Sequence, residues 1–251
     1  MVRLFDSLRT AGETCAICRA DLRCDARYMV AQVELREIDL MKIEIDIVSD
    51  VVCPWCFLGK RKLDAAMKQV PNFTYELRWR PFQLDPTIPP EGMARQDYMA
   101  RKFGPEKIAA IHARLEEAGR EDGVAFAFDK ITRSPNTLDA HRLIRWAQGS
   151  GKQSEIVDRL FTLYFIEGAD IGDRHVLIEV AREYGLDADL MARLMVEGVD
   201  IGPVREEIST AARMGVSGVP FFIFNGKYAV SGAQPVDGLV GVIWKAGSAM
   251  E

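Results

Sequence analysis

Beyond residue 56 the 251-residue chain has no cysteine, and it holds only three histidines. No apolar run approaches the ~20 residues that cross a bilayer, which sets a membrane protein aside. Excess positive charge is missing as well. At a net charge of −5 there is no broad basic surface to suggest a nucleic-acid partner. The opening segment from Met1 to Arg9 lacks the unbroken apolar stretch of a secretory leader. The expectation is therefore a cytoplasmic protein, where disulfides are transient and catalytic. Five cysteines bunched before residue 57 do not make a structural disulfide framework.

What the chain does have is Cys53-Pro54-Trp55-Cys56 at a junction between two kinds of pattern. Before it, Ile43 to Val48 alternates β-branched residues and reads as a strand. After it, Leu58, Leu63, Ala66 and Met67 recur at helical spacing. Two cysteines three residues apart on a first helical turn share one face, with Cβ atoms roughly 5–6 Å apart. That span suits a disulfide that opens and closes without moving the fold. A CxxC that opens a helix after a strand is a thioredoxin-like redox motif. Cys53 at the helix tip meets free N–H groups and the positive end of the macrodipole, which favour a thiolate. Pro54 suits the first helical position, having no N–H to leave unpaired. Trp55 brings an indole N–H but no charge. Cys56, one turn in, is expected to be the more buried, resolving thiol. Lys60, Arg61 and Lys62 read as a solvated helix face.

The order of elements gives an α/β fold. Strand 43–48, helix 53–67 and strand 73–80 make a βαβ unit. Prolines 81, 86, 89 and 90 then lead out of the sheet. Helical patterns follow at 94–103, 105–120, 137–149, 153–166, 173–184 and 187–196, with Asn136 or Thr137 and Asp173 as N-caps. Helix 203–214, strand 219–224, an Asn225-Gly226 hairpin turn, strand 227–230 and a last helix from Gln234-Pro235 close the chain. The expected organisation is an N-terminal extension over 1–40, a thioredoxin-like domain from 41–92 and 200–251, and a helical insertion over 93–199. The insertion is long enough to hold a core of its own. Within the extension, Cys15, Cys18 and Cys24 lack a fourth zinc ligand at a usual spacing, so no metal site is expected.

Three segments resemble the DsbA superfamily: CPWC after Ser49-Asp50-Val51-Val52, Gly218-Val219-Pro220-Phe221-Phe222, and Tyr164 through Asp173. The last is similar to the cytosolic FrnE-like branch, the dithiol-disulfide isomerases associated with polyketide biosynthesis. The resemblance runs from about residue 41 to the end. It implies a thioredoxin fold with a large all-helical insertion between its βαβ and ββα halves. It also implies thiol–disulfide oxidoreductase or isomerase activity without a bound cofactor, glutathione being a candidate redox partner. Carried over, Cys53 is the nucleophile, Cys56 the resolving thiol and Pro220 a cis-proline. Val219, Trp55 and Pro54 then meet a protein or peptide client, Val219 through its backbone. A homodimer is a candidate assembly. Exported relatives hold a buried glutamate six residues before the first cysteine, where this chain has Ile47. The proton acceptor for Cys56 is therefore open, with Asp46 and Asp50 nearest in sequence.

Two rivals stand beside this reading. Glutathione-dependent isomerases of the 2-hydroxychromene-2-carboxylate type and kappa-class transferases share segments like Asn136 to Leu143. They use a lone serine at the position of Cys53 and lack the second thiol. His141, among Leu138, Leu143 and Ile144, reads as structural, and His112 and His175 as unremarkable surface positions. A holdase chaperone would need an apolar groove, for which Met93, Met99, Phe103, Phe126 and Phe128 are candidates.

Overall fold

Strand β1 (Lys42–Ser49) is the centre of the sheet, and its alternation explains why. Ile43, Ile45 and Ile47 are almost completely buried on one face. Each such side chain contributes on the order of 1.5–3 kcal/mol by leaving water. The structure, a computed structural model, describes residues 41–249. The thiols at 15, 18 and 24, and the readings weighed for them, lie outside the described residues.

Helix α1 (Pro54–Gln69) leads from β1 to β2 (Thr74–Pro81), which lies parallel to β1 with Ile47 opposite Trp79. On the other side of β1 runs β5 (Phe221–Phe224), antiparallel, and β6 (Tyr228–Ser231) continues outward, giving the order β2-β1-β5-β6. The β5–β6 turn has Asn225 and Gly226 both at positive φ, 50° and 63°. That is the backbone a two-residue hairpin needs and the reason an Asn-Gly pair sits there.

Because strand residues alternate sides, the two sheet faces are covered separately. Ile47 and Phe222 belong to the main core with α1 and α9 (Val236–Ser248). Val48 and Phe221 point the other way, into a smaller cluster with Ala211 of α8 (Ile201–Arg213). The sandwich of helix, sheet and helix follows from those two neighbouring residue pairs.

Between β2 and α8 the chain is helical: α2 (Arg95–Phe103), α3 (Ile108–Glu121), α4 (Leu138–Trp146), α5 (Gln153–Thr162), α6 (Arg174–Glu183) and α7 (Ala188–Val196). Its one extended feature is a two-residue pairing of β3 (Met93–Ala94) with β4 (Arg133–Ser134), too short to leave a periodic signal. Asp173 caps α6 by accepting from His175 N–H, and Asn136 Oδ1 accepts from Leu138 N–H at the head of α4. The 153–166 pattern does not run through as one α-helix. After Thr162 it widens into a π turn over Leu163–Glu167, ending at Gly168 with φ 77°. A Cβ on Gly168 would lie 2.5 Å from the Lys130 carbonyl, so the chain needs glycine to turn there.

The insertion does not keep a core to itself. Phe57 of α1 stacks on Phe161 of α5 at 5.1 Å, with Phe126 edge-on at 6.1 Å, and one apolar cluster runs from β1 to α7. Nor are the three cations of α1 a solvated stripe. Lys60 is buried and pairs with Asp64 at 2.7 Å and Asp158 at 3.4 Å. Arg61 reaches Asp158 at 3.3 Å, and Lys62 reaches Asp122 at 2.8 Å. That face of α1 abuts the insertion, whose carboxylates answer each charge.

Gly59 is where α1 comes closest to the sheet: a Cβ there would stand 2.7 Å from Pro220 Cγ. Alanine is the better helix former by about 1 kcal/mol, yet this overpacking costs roughly 1–3 kcal/mol. Gly59→Ala is therefore expected to lower stability in urea unfolding. A stabilised variant would refute the close approach.

Candidate active site

Cys53 closes the turn after β1. Its N–H donates to the Asp50 carbonyl at 3.0 Å, and its own carbonyl accepts from Cys56 N–H at 3.0 Å and Phe57 N–H at 3.3 Å. Cys53 is thus the N-cap of α1, in extended conformation, with Pro54 at the first helical position. Proline makes no demand for a partner there. Both Cys53 and Cys56 are free thiols.

The register of β5 brings the second half of the site across. Val48 lies opposite Phe221, so the loop before β5 emerges beside the turn after β1. The Val219–Pro220 peptide is cis, as the sequence suggested. Cys53 Sγ lies 3.7 Å from the Val219 carbonyl, to which the thiol donates. Trp55 is half-buried, with the Arg114 guanidinium 5.7 Å from its ring. Cys53, Pro54, Trp55, Cys56, Val219 and Pro220 therefore converge, although 163 or more residues separate the last two from the first four.

The two thiols differ in setting. Cys56 is 1 % exposed and Cys53 4 %, so the order of burial is as expected, but neither stands open. Burial pushes the Cys56 thiol well above its ordinary value, and the adjoining Cys53 adds to this. Contacts with the Ser49 side chain and the Asp50 backbone pull weakly the other way.

Of the two carboxylates weighed for Cys56, Asp46 is tied to Arg80 Nε at 2.7 Å, in mid-strand. Asp50 is the unexpected one. It holds the turn through its carbonyl, yet its side chain is buried, at 1 % exposure. Its Oδ2 accepts from Leu84 N–H at 2.8 Å, fixing the loop after β2, while Oδ1 makes no hydrogen bond. His141 Nε2 lies 3.5 Å from that Oδ1 and 2.9 Å from the Phe82 carbonyl. Because a carbonyl only accepts, this nitrogen carries the proton, and His141 is structural as read.

His112 is not the surface residue its helical context implied. It stacks on Phe128 at 4.4 Å, and burial together with nearby Arg95 lowers its pKa. It lines an apolar pocket of about 90 Å³ whose wall includes Val52 and Pro54. Met99, Phe103 and Phe128 line it too, whereas Phe126 packs into the aromatic cluster and Met93 against Ile88, Tyr98 and Met99. Arg95 and Ser134 also face this pocket, and no sequence motif marks either. A π turn at Leu163–Glu167 presents Tyr164, whose hydroxyl accepts from Arg95 Nη1 at 3.0 Å.

Residues 44–243 match the DSBA-like thioredoxin domain. The chain belongs to that family. Among solved structures it is similar to a probable DsbA oxidoreductase, SCO1869, from Streptomyces coelicolor. That pair shares 28% identity and a TM-score of 0.75 over 81% of this chain and 89% of the other. A 2-hydroxychromene-2-carboxylate isomerase shares the fold, with a TM-score of 0.63 and 14% identity over 83% and 99% of the two chains. Among curated proteins, the uncharacterized YwbO of Bacillus subtilis is 31% identical over 147 residues, 59% of this chain and 68% of that one. The DsbA-like fold with its helical insertion thus stands as the sequence implied. No helix among the described residues is long and apolar enough to cross a membrane.

Asp50→Ala removes the acceptor for a part-buried backbone N–H, which costs about 1 kcal/mol. Asp50→Asn keeps an acceptor oxygen and is expected to lose less. Denaturant unfolding checks both, and an Ala variant as stable as the parent would contradict the role given to Oδ2.

Proposed function

We propose that this DsbA-like protein is a thiol–disulfide oxidoreductase or isomerase acting on protein and peptide disulfides through Cys53 and Cys56, in the FrnE-like branch and in the cytoplasm. One observation carries the reading: two free thiols at the tip of α1, with Cys53 against the Val219 carbonyl next to a cis-proline.

The chemistry uses no bound cofactor. Cys53, as thiolate, attacks one sulfur of a client disulfide. An S–S bond forms between enzyme and client, and the other client sulfur leaves as a thiolate that takes a proton from solvent. Cys56 then gives up its proton and attacks Cys53 sulfur. This closes the Cys53–Cys56 disulfide and releases the second client thiolate, so the client gains two electrons. A small thiol such as glutathione returns them to the enzyme; release of a rearranged client before resolution is isomerisation. Val219 and the side chains of Pro54 and Trp55 border the approach to Cys53 and are the surfaces assigned to the client.

The rival is glutathione-dependent isomerisation, the activity class named for the 2-hydroxychromene-2-carboxylate isomerase. Two thiols at the helix tip, where that chemistry uses one hydroxyl, support the dithiol reading. Reduction of a peptide disulfide is expected to fall to the uncatalysed rate in Cys53→Ser, and Cys56→Ser is expected to accumulate a mixed disulfide through Cys53. Glutathione conjugation indifferent to Cys56 would favour the rival. The raised Cys56 thiol sets a pH dependence for the resolving step. Below the thiol pKa the thiolate fraction grows about tenfold per pH unit. Single-turnover resolution should therefore keep rising past the ordinary thiol value of 9.0. A plateau near neutrality would contradict it.

A further inference from the structure

The pocket beside the dithiol turn is built for more than apolar contact. Val52 and Pro54, the residues on either side of Cys53, form part of its wall. At its rim, Leu84 and Phe103 stay 37 % exposed, large apolar side chains left facing water next to a cavity. Inside, Arg95 Nε and His112 Nε2 are shut off from solvent without a hydrogen-bond partner, and so is Ser134 Oγ, in a residue 2 % exposed beside Tyr164. Buried polar atoms of this kind ordinarily find partners. No Asp or Glu lines the pocket, and no carboxylate pairs with Arg95 among the described residues. Glu116 lies near His112 but outside the lining. The interior is thus apolar, with two unused polar groups and an Arg95 guanidinium that bonds the Tyr164 hydroxyl but meets no carboxylate, while the Lys102 ammonium on the lining is bonded to the Tyr98 hydroxyl.

We propose that this pocket selects the client: it takes the residues flanking the attacked cysteine when these are a large apolar side chain and a neighbouring carboxylate, the latter held by Arg95. The inference rests on the redox reading above. Extended chain advances about 3.3 Å per residue, so a cysteine engaged at Cys53 brings its first two neighbours over Pro54 and the pocket mouth. The apolar side chain lies against Leu84 and Phe103, and the carboxylate meets Arg95 in a charge-assisted hydrogen bond shielded from water. Such a contact raises selectivity without touching the sulfur chemistry.

The test uses three synthetic peptide disulfides of equal length, with Phe-Glu, Phe-Lys or Gly-Gln beside the reactive cysteine, and measures kcat/KM for each with the intact protein. The Phe-Glu peptide is expected to exceed the Phe-Lys peptide by at least about tenfold, with Gly-Gln below Phe-Glu. In Arg95→Gln the Phe-Glu to Phe-Lys ratio is expected to fall to about one. Turnover of all three peptides at equal rates would overturn the pocket's role and leave the redox reading standing. No turnover of any peptide would instead remove the redox reading. A ratio that Arg95→Gln leaves intact would show that another group makes the selection. If that variant fails to fold, Phe103→Ala, at the exposed rim, supplies the second measurement: it is expected to erase the advantage of Phe-Glu over Gly-Gln, and an unchanged advantage would overturn the proposal.

Discussion

The site depends on one register. Antiparallel pairing of β1 with β5 sets Val48 against Phe221, which places the end of one strand beside the start of the other. The turn that carries Cys53 and the loop that carries Val219 and Pro220 are then forced to the same edge of the sheet. Gly59 lets α1 sit close enough to Pro220 for the two to touch. A slip of one residue in β5 would turn Phe221 into the main core and Phe222 out of it. The hydrophobic pattern that buries the sheet therefore also positions the sulfur.

Electrostatics around the dithiol are more balanced than a count of α1 cations suggests. Lys60, Arg61 and Lys62 each face a carboxylate across the contact with the insertion, so their charge serves that seam and adds little field at the helix tip. The insertion contributes in another way: with Val52 and Pro54 it lines the apolar pocket that holds Arg95.

Much of this was legible in the chain because local rules and the fold agree. Alternating isoleucines give β1, CPWC gives the helix start, and Asn225-Gly226 gives the hairpin. The cis-proline followed from the resemblance to thioredoxin folds, which place one at this point of the topology. The missed features are those in which tertiary contact overrides local pattern. Asp50 is the turn residue it looks like, but its burial comes from the loop after β2, which folds over it and supplies Leu84 N–H. His112 sits on a polar-looking helix and is covered by Phe128. The π turn at 163–167 ends at Gly168, packed against the Lys130 carbonyl, and no periodicity in that segment reveals it. Arg95 and Ser134 come together through a two-residue strand pair too short to leave a sequence signal.

The central claim is that Cys53 and Cys56 form one reversible two-electron couple in an otherwise unchanged fold. Equilibrating the protein against thiol–disulfide buffers, quenching with an alkylating agent and weighing the intact chain tests this directly. The account predicts that the two thiols lose their reactivity together at a single midpoint, between the thioredoxin and DsbA values of about −270 and −120 mV. Independent alkylation of the two cysteines, or no paired loss at any poise, would contradict it.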